Sequence, residues 1–118
     1  MSKNKAKGTS AETAVVKYLI ENDFPHAERR ALSGANDQGD VSGCIGLCIE
    51  VKSHKTYKFP EWLKETEVET INAKADYGIL VVKPNGVGLT NAGEFFAVMK
   101  LKDLTSLVRD AGYGNPND

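Results

Sequence analysis

Cysteine and histidine are scarce in this chain of 118 residues, which contains two of each. The cysteines, Cys44 and Cys48, and the histidines, His26 and His54, do not follow the spacing of a zinc site. We therefore expect both cysteines to be free thiols, buried or half-buried, because free cysteine packs as a small apolar side chain.

Long apolar runs are also absent. No run approaches the roughly 20 residues that span a bilayer, and the Lys-rich start is not followed by the apolar core of a signal peptide. We therefore expect a cytoplasmic protein with no membrane partner. The 41% hydrophobic and 26% charged content are those of an ordinary globular protein, and 118 residues leave room for one domain.

Net charge is low, at −1, which argues against a protein that simply coats nucleic acid. The charge is unevenly distributed, with a net of +2 over residues 1–60 and −3 over residues 61–118. Basic clusters in the first half could contact phosphates, although solvated lysines without a partner are the other interpretation. The clusters are Lys3, Lys5 and Lys7; Arg29 and Arg30; and Lys52, Lys55 and Lys58.

The first half of the chain is predicted to contain a helix, a strand and a hairpin. Residues 1–8 are expected to form a flexible basic arm, and Thr9 is predicted to cap a helix that runs to about Glu21. A strand is predicted over residues 26–32, followed by a loop over 33–39. The segments 40–42 and 47–53 are then typical of a hairpin, whose second arm alternates between an apolar and a charged face.

The second half is predicted to add a helix, two strands and a final helix. Pro60 suits the first turn of a helix that runs to about residue 75, and residues 77–83 and 94–100 are predicted strands. A last helix from residue 101 is expected to end at Gly112, before a disordered tail over 113–118. The order α-β-β-β-α-β-β-α predicts an α/β fold, with a mixed central sheet flanked by helices, in one domain over residues 9–112.

Glu50 and Lys52 are the first candidates for chemistry. They are two residues apart on a predicted strand, so both project from one face, about 6.5–7 Å apart along the backbone. A surface-facing strand or a cross-strand ion pair would explain this pattern equally well.

Asp40 adds a second carboxylate. If the hairpin turn is centred on Ile45, Asp40 lies opposite Glu50, with β-carbons about 4.5–5.5 Å apart. Two carboxylates that close repel each other unless a cation lies between them, and oxygen ligands favour Mg²⁺ or Mn²⁺ over zinc. A pairing shifted by one residue would instead place Asp40 on the opposite face.

Asp40, the hairpin, Glu50-Val51-Lys52 and Glu12 on a preceding helix together resemble the PD-(D/E)XK nuclease superfamily. The closer resemblance is to the archaeal and phage Holliday-junction resolvases within it, over roughly residues 7–83. It is carried by Lys7-Gly8-Thr9-Ser10-Ala11-Glu12, Arg30-Ala31-Leu32-Ser33-Gly34, Gly39-Asp40-Val41 and Ile49-Glu50-Val51-Lys52-Ser53. Gly39 stands where many members have proline.

The resemblance implies a restriction-endonuclease-like core (αβββαβ) and a role for each matched residue. Asp40, Glu50 and the Val51 carbonyl would bind Mg²⁺, for which Mn²⁺ would substitute. Lys52 would orient or deprotonate the attacking water, or neutralise charge on the phosphate. Glu12 would bind the metal directly or through water, although it also fits a capping box with Thr9.

Several further residues have both a functional and a structural interpretation. Ser33 matches a position near the resolvase active site but could be a turn residue. Asp37 is a rival metal ligand whose loop position favours a turn, and His54 could contact phosphate or end an exposed strand. Trp62 is expected in the core or at a dimer surface. Glu61, Glu65 and Glu69, which are spaced by four residues, are expected to form a solvated face that points away from DNA.

Three functions remain open at this stage. The first is a structure-selective DNA endonuclease, specifically a Holliday-junction resolvase acting as a homodimer in recombination or repair. The second is a nuclease of the same fold that acts on duplex ends, nicks or flaps. The third is a catalytically inactive DNA-binding module. The expected DNA contacts are Lys3, Lys5, Lys7, Arg29, Arg30, Ser33 and Lys55.

Overall fold

The helices and strands follow the expected order in a computed structural model that describes residues 3–30 and 36–116. The helices are α1 (Lys3–Glu21), α2 (Phe59–Ala73) and α3 (Leu101–Asp110). The strands are β1 (Glu28–Arg29), β2 (Val41–Ser42), β3 (Leu47–Lys52), β4 (Tyr77–Val82) and β5 (Phe96–Val98). A 3-10 helix over Leu89–Glu94 precedes β5.

The five strands form one mixed sheet in the order β1-β2-β3-β4-β5. All neighbouring strands are antiparallel except β3 and β4, which are parallel and are joined by the crossover helix α2. The predicted α/β architecture with a mixed, helix-flanked sheet is therefore confirmed.

The two faces of the sheet bury different clusters of side chains. On one face, Ala11 and Val15 of α1 pack against Val41, Ile49 and Val51. On the other face, Trp62 of α2 packs against Leu80 and Val82 of β4. Because side chains alternate along a strand, β3 directs Cys48, Glu50 and Lys52 toward α2, so the charged face of the hairpin is covered by a helix.

Gly78 allows α2 to lie close to the sheet. A Cβ at this position would overlap the Thr70 hydroxyl oxygen and lie 3.2 Å from Cγ2 of Thr66, two residues on the inner face of α2. Glycine at position 78 therefore sets how near the inner face of α2, including Glu69, comes to β3.

Helix α1 begins earlier than the sequence predicts. It starts at Lys3, so residues 3–8 belong to the helix and the expected arm over residues 1–8 is wrong for these positions. The predicted cap at Thr9 is also wrong, since the Thr9 carbonyl accepts a hydrogen bond from Thr13 Oγ1 inside the helix. Lysine and alanine favour helix, and one glycine costs only about 1 kcal/mol, so Gly8 does not stop the helix.

The other element boundaries differ from the predicted ones mainly because two strands are shorter. Strands β1 and β5 are shorter than predicted, and residues 31 and 32 lie outside the described residues. Helix α3 ends as expected at Gly112, which has a φ of +91°, and Tyr113 N–H donates to the Val108 carbonyl. Tyr113 thus closes the helix, whereas residues 117 and 118 of the predicted tail are not described. No helix in the described ranges is long and apolar enough to cross a membrane.

Candidate active site

Asp40 lies directly before β2, held by hydrogen bonds to β3. Its N–H donates to the Ile49 carbonyl at 2.8 Å, and its Oδ2 accepts from the Val51 N–H at 2.8 Å. Val41 pairs with Ile49, which is the predicted register and brings Asp40 opposite Glu50. The shifted pairing that would have turned Asp40 to the opposite face is therefore wrong.

The backbone at position 39 requires glycine. Its φ is +97°, which proline cannot adopt, and a Cβ there would lie 2.9 Å from the Ile49 carbonyl oxygen. Asp37 builds the same turn, because its Oδ1 accepts a hydrogen bond from the Gly39 N–H at 2.9 Å. This contact is the one that a turn-forming role for Asp37 predicts.

Glu50 is almost fully buried between two other carboxyl groups. Burial, followed by the neighbouring carboxyls of Asp40 and Glu69, raises the pKa of Glu50 to about 12. Its Oε1 is buried without a hydrogen-bond partner among the described residues. Glu50 is thus a carboxyl in the protein interior that the surrounding described groups leave partly unsatisfied.

Lys52 pairs with two glutamates. Its Nζ lies 2.5 Å from Glu65 Oε2 and 3.5 Å from Glu50 Oε2. Burial lowers the pKa of Lys52, but the ion pairs with Glu65 and Glu50 outweigh it and the net shift is upward. Lys52 is therefore a charged ammonium at neutral pH.

Glu65 and Glu69 of α2 complete the site. The prediction that Glu61, Glu65 and Glu69 form a solvated face is wrong for the buried Glu69, whereas Glu61 and Glu65 are exposed as predicted. Glu69 is buried, and burial is the largest cause that raises its pKa to about 7. Potential ligand atoms of Glu50, Glu65 and Glu69 all lie within 4.8 Å of one another. We call these three residues the acidic cluster. It is the only such group of three or more metal-ligating side chains among the residues the structure describes.

The sequence reasoning missed Glu65 and Glu69, although a signal was present. Trp62, Glu65 and Glu69 are spaced by three and then four residues, so all three lie on one face of the helix. Trp62 was expected in the core or at a dimer surface. It is buried in the core, so that same face approaches the sheet. The weak apolar pattern of the helix concealed this, because its inner face carries carboxyls and threonines.

Glu12 lies near Asp40 without joining the acidic cluster. Its carboxylate is 3.7 Å from Arg29 Nε, and burial, then the charge of Asp40, raises the pKa of Glu12. The capping-box interpretation of Glu12 is wrong, because the helix begins two turns earlier. Arg29, one of the expected DNA contacts, thus sits beside a predicted ligand.

Basic side chains surround the outer end of β3. His54 stacks at an angle on Trp62, with ring centroids 5.2 Å apart. Burial, then the charges of Lys52, Lys7 and Lys58, lowers the pKa of His54. Lys7, which is distant from β3 in sequence, therefore lies near enough to the end of β3 for its charge to act on His54.

The remaining expected DNA contacts are Lys55, Arg30, Lys3, Lys5 and Ser33. Lys55 is exposed in the loop after β3, and Arg30 Nη1 donates to Gln38 Oε1 at 3.4 Å. Lys3 and Lys5 lie within α1, but their side chains are outside the described residues, as is Ser33. Both cysteines are buried free thiols, as expected.

An open groove of about 440 Å³ leads to these groups. Asn72 Nδ2 donates to the Asp37 carbonyl at 3.0 Å, which ties the end of α2 to the turn before β2. The donor set consists of carboxylate oxygens, two of them buried without a hydrogen-bond partner among the described residues. These residues suit a hard divalent cation such as Mg²⁺. Among the described residues that line the groove are Asp37, Glu50, Lys52, Glu65, Glu69 and Asn72.

Comparison of the chain with family models, with curated proteins and with solved structures finds no match.

Proposed function

We propose that this protein is a magnesium-dependent, structure-selective DNA endonuclease, specifically a Holliday-junction resolvase. The observation that carries the proposal is the pairing of β2 with β3, which brings Asp40 against Glu50 with Lys52 on the same face. A buried carboxyl group next to a half-buried one, with an ammonium group beside them, is costly for a merely structural hairpin and typical of an active site.

Asp40 and Glu50 would hold the magnesium ion, together with the Val51 carbonyl. The Val51 N–H points toward Asp40, and the carbonyl of a strand residue points to the same edge as its N–H. Glu12 would contribute directly or through a water molecule. A bound magnesium ion would supply an activated water and stabilise charge on the phosphate.

Lys52 is best suited to electrostatic work on the phosphate. Because its pKa is raised, Lys52 keeps its proton at neutral pH and is a poor general base. The charged ammonium would instead orient the attacking water or neutralise charge that develops on the phosphate oxygens.

The substrate would approach over the basic end of β3. Lys7 and Lys58 are close enough to His54 for their charges to lower its pKa, so they add local positive charge beside the ion-paired Lys52 on a chain whose net charge is −1. Such a surface attracts phosphates of the DNA backbone, and Arg29, Arg30 and Lys55 would extend it.

Resolution of a four-way junction requires two symmetric cuts on opposing strands, whereas one chain offers one Asp40/Glu50/Lys52 set. We therefore propose a two-fold homodimer, whose symmetry matches that of the junction. The sequence offers Phe95, Phe96, Met99 or the final helix as the contact. Phe95 is buried in the core of its own chain, which leaves the exposed Phe96 and α3 as the better candidates.

The proposal is tested by incubating the protein with a labelled four-way junction and a matched linear duplex, with Mg²⁺ or with excess EDTA. We expect paired cuts in the junction with Mg²⁺ and none with EDTA. Equal cutting of both substrates would favour the general nuclease, and binding without any cutting would favour the inactive DNA-binding module.

A further inference from the structure

When its three carboxyls are ionised, the acidic cluster carries more negative charge than its surroundings balance. Lys52 contacts Glu65 and Glu50, and it is the one basic side chain among the described residues that line the groove. One ammonium group cannot offset three carboxylates whose oxygens lie within 4.8 Å of one another. Carboxylates at this separation repel unless protons or a further cation intervene.

Two buried oxygens of the cluster point to a missing ligand. Glu50 and Glu69 are only 5% and 4% exposed, and Glu50 Oε1 and Glu69 Oε2 have no hydrogen-bond partner among the described residues. An unsatisfied buried oxygen costs about 1–3 kcal/mol, so such atoms are rare unless a ligand or an ion satisfies them. This observation is independent of the clustering itself.

Glu50 lies at the junction of two sets of carboxyls. Asp40 lies on the β2 side of Glu50 and Glu69 on its α2 side. The Glu50 carboxyl could therefore bind one cation together with Asp40 and another together with Glu69. In two-metal nucleases the ions lie about 3.5–4 Å apart and stabilise the attacking and the leaving oxygen of one displacement. A carboxylate with other carboxyls on both sides could bind both ions of such a pair.

We propose that Glu50, Glu65 and Glu69 hold a second divalent cation, beside the one bound by Asp40 and Glu50. Oxygen ligands alone favour Mg²⁺, Mn²⁺ or Ca²⁺ over zinc. The role of this cation in cutting DNA rests on the proposed nuclease function, whereas its binding can be measured without DNA. The Lys52 ammonium competes with the cation for Glu65, because it lies 2.5 Å from Glu65 Oε2.

Trp62 provides a direct reporter, because it is the one tryptophan in the chain. Trp62, Glu65 and Glu69 share a face of α2, with about 5–6 Å between neighbouring Cβ atoms on that face. Tb³⁺, a hard cation that takes oxygen ligands, should therefore emit when Trp62 is excited in the full-length, DNA-free protein. Added Mn²⁺ should displace it.

The matched variants separate the acidic cluster from nearby charge. We expect Glu65→Gln and Glu69→Gln each to weaken Tb³⁺ binding at least ~10-fold, the lower end of losses seen for groups that merely support a metal site. Glu67→Gln removes the same charge from the same helix, but Glu67 pairs with Lys100 outside the cluster, so Tb³⁺ binding should be unchanged. Asp40→Asn should keep the Trp62-sensitised emission, and Lys52→Met should strengthen binding.

Three results would overturn the second site: no sensitised emission from the wild type, equal loss in Glu67→Gln, or complete loss in Asp40→Asn. Circular dichroism and thermal melting check that each variant folds, and Glu65, which is exposed, gives a variant least prone to misfolding. Tb³⁺ binding as expected, combined with no DNA cutting in Mg²⁺, would refute the nuclease function while leaving the cation site intact.

Discussion

Glu50 illustrates how a single residue can oppose the stability of a fold. Its carboxyl is buried between Asp40 and Glu69, and its raised pKa means that the metal-free fold favours the protonated form. The protein thus keeps an acidic group where an apolar side chain would pack more easily. Residues with strongly shifted pKa values cluster at functional sites, for this reason.

The raised pKa values of Glu50 and Glu69, about 12 and about 7, predict how stability depends on pH without metal. Because the folded protein holds these protons more tightly than the unfolded chain, their stabilisation is complete below about pH 4.5 and declines as pH rises. In EDTA the free energy of unfolding should fall between pH 5 and 8, by up to about 1.4 kcal/mol per pH unit for each fully shifted group.

Denaturant unfolding of the wild type and of Glu50→Gln, each in EDTA at several pH values, measures this effect. The variant cannot ionise at position 50, so its stability should decline less steeply. Mg²⁺ should stabilise the wild type more at pH 8 than at pH 5. A wild-type stability that rises from pH 5 to pH 8 in EDTA would contradict the account.

For Lys52 the structure narrows the roles that the sequence leaves open. The sequence leaves it three roles in the reaction, and its ion pairs with Glu50 and Glu65 support a permanently charged side chain. Lys52→Ala should lower the cutting rate at least ~10²-fold, as for a lost electrostatic group. Lys100→Ala is the control, since Lys100 pairs with Glu67 on the outer side of α2 and should be dispensable. Single-turnover rates at saturating protein give the comparison.

At the scale of elements, the hairpin could be predicted from sequence and the position of α2 could not. Alternation in β3 predicted which residues share a face, and the sequence left two registers open. The structure has the register centred on Ile45, which places Asp40 opposite Glu50. The contribution of Glu65 and Glu69 depends on how α2 packs across β3 and β4. That contact joins segments distant in the chain. The spacing of Trp62, Glu65 and Glu69 indicates which side of α2 faces the sheet, but not which strand residues it meets.

The prediction for the start of α1 is wrong for a local reason rather than a long-range one. The sequence Thr9-Ser10-Ala11-Glu12 matches a capping box, but the residues before it are good helix formers and carry the helix on to Lys3. A local signal was present and a stronger local tendency outweighed it. Glu12 therefore does not cap the helix, and its carboxylate lies near Arg29 and Asp40.

Gly78→Ala tests whether the close approach of α2 builds the site. The added methyl group would overlap the Thr70 hydroxyl, so either Thr70 changes rotamer or α2 shifts, and overpacking of this kind costs about 1–3 kcal/mol. We expect lower stability and weaker Tb³⁺ binding at the acidic cluster. Thr70→Ala in the same chain should restore part of both losses by making room.

Gly88→Ala is the matched control for this substitution, because a Cβ at Gly88 would meet nothing within 4 Å. Thermal melting and Tb³⁺ titration of the three variants provide the measurement. If Gly78→Ala retained wild-type stability and Tb³⁺ affinity, the packing of α2 would not determine the site.

At the scale of the whole molecule, α3 has an apolar side that its own chain leaves uncovered. None of its residues is buried, and Leu101, Leu104 and Val108 are exposed at helical spacing. An exposed apolar stripe of this kind marks a contact surface, and the junction symmetry supports a second copy of the chain as the partner. The dimer proposed above would therefore form through α3.

Leu104→Glu should convert the dimer to a monomer without unfolding the chain, because Leu104 contributes to no buried cluster. Lys102→Glu, on the polar side of α3, is the control and should leave the dimer intact. Sedimentation at micromolar concentration distinguishes the two states. A wild type that is already monomeric under these conditions would contradict the proposed assembly.

The central claim, that Asp40, Glu50 and Lys52 cut junction DNA with Mg²⁺, is tested most directly on a supercoiled plasmid that extrudes a cruciform. Two cuts in one binding event give a linear plasmid, whereas single cuts give an open circle. We predict that the wild type yields linear product in Mg²⁺ and none in EDTA, and that folded Asp40→Asn and Glu50→Gln yield none while still binding the junction. Linear product from either variant, or from the wild type in excess EDTA, would contradict the account.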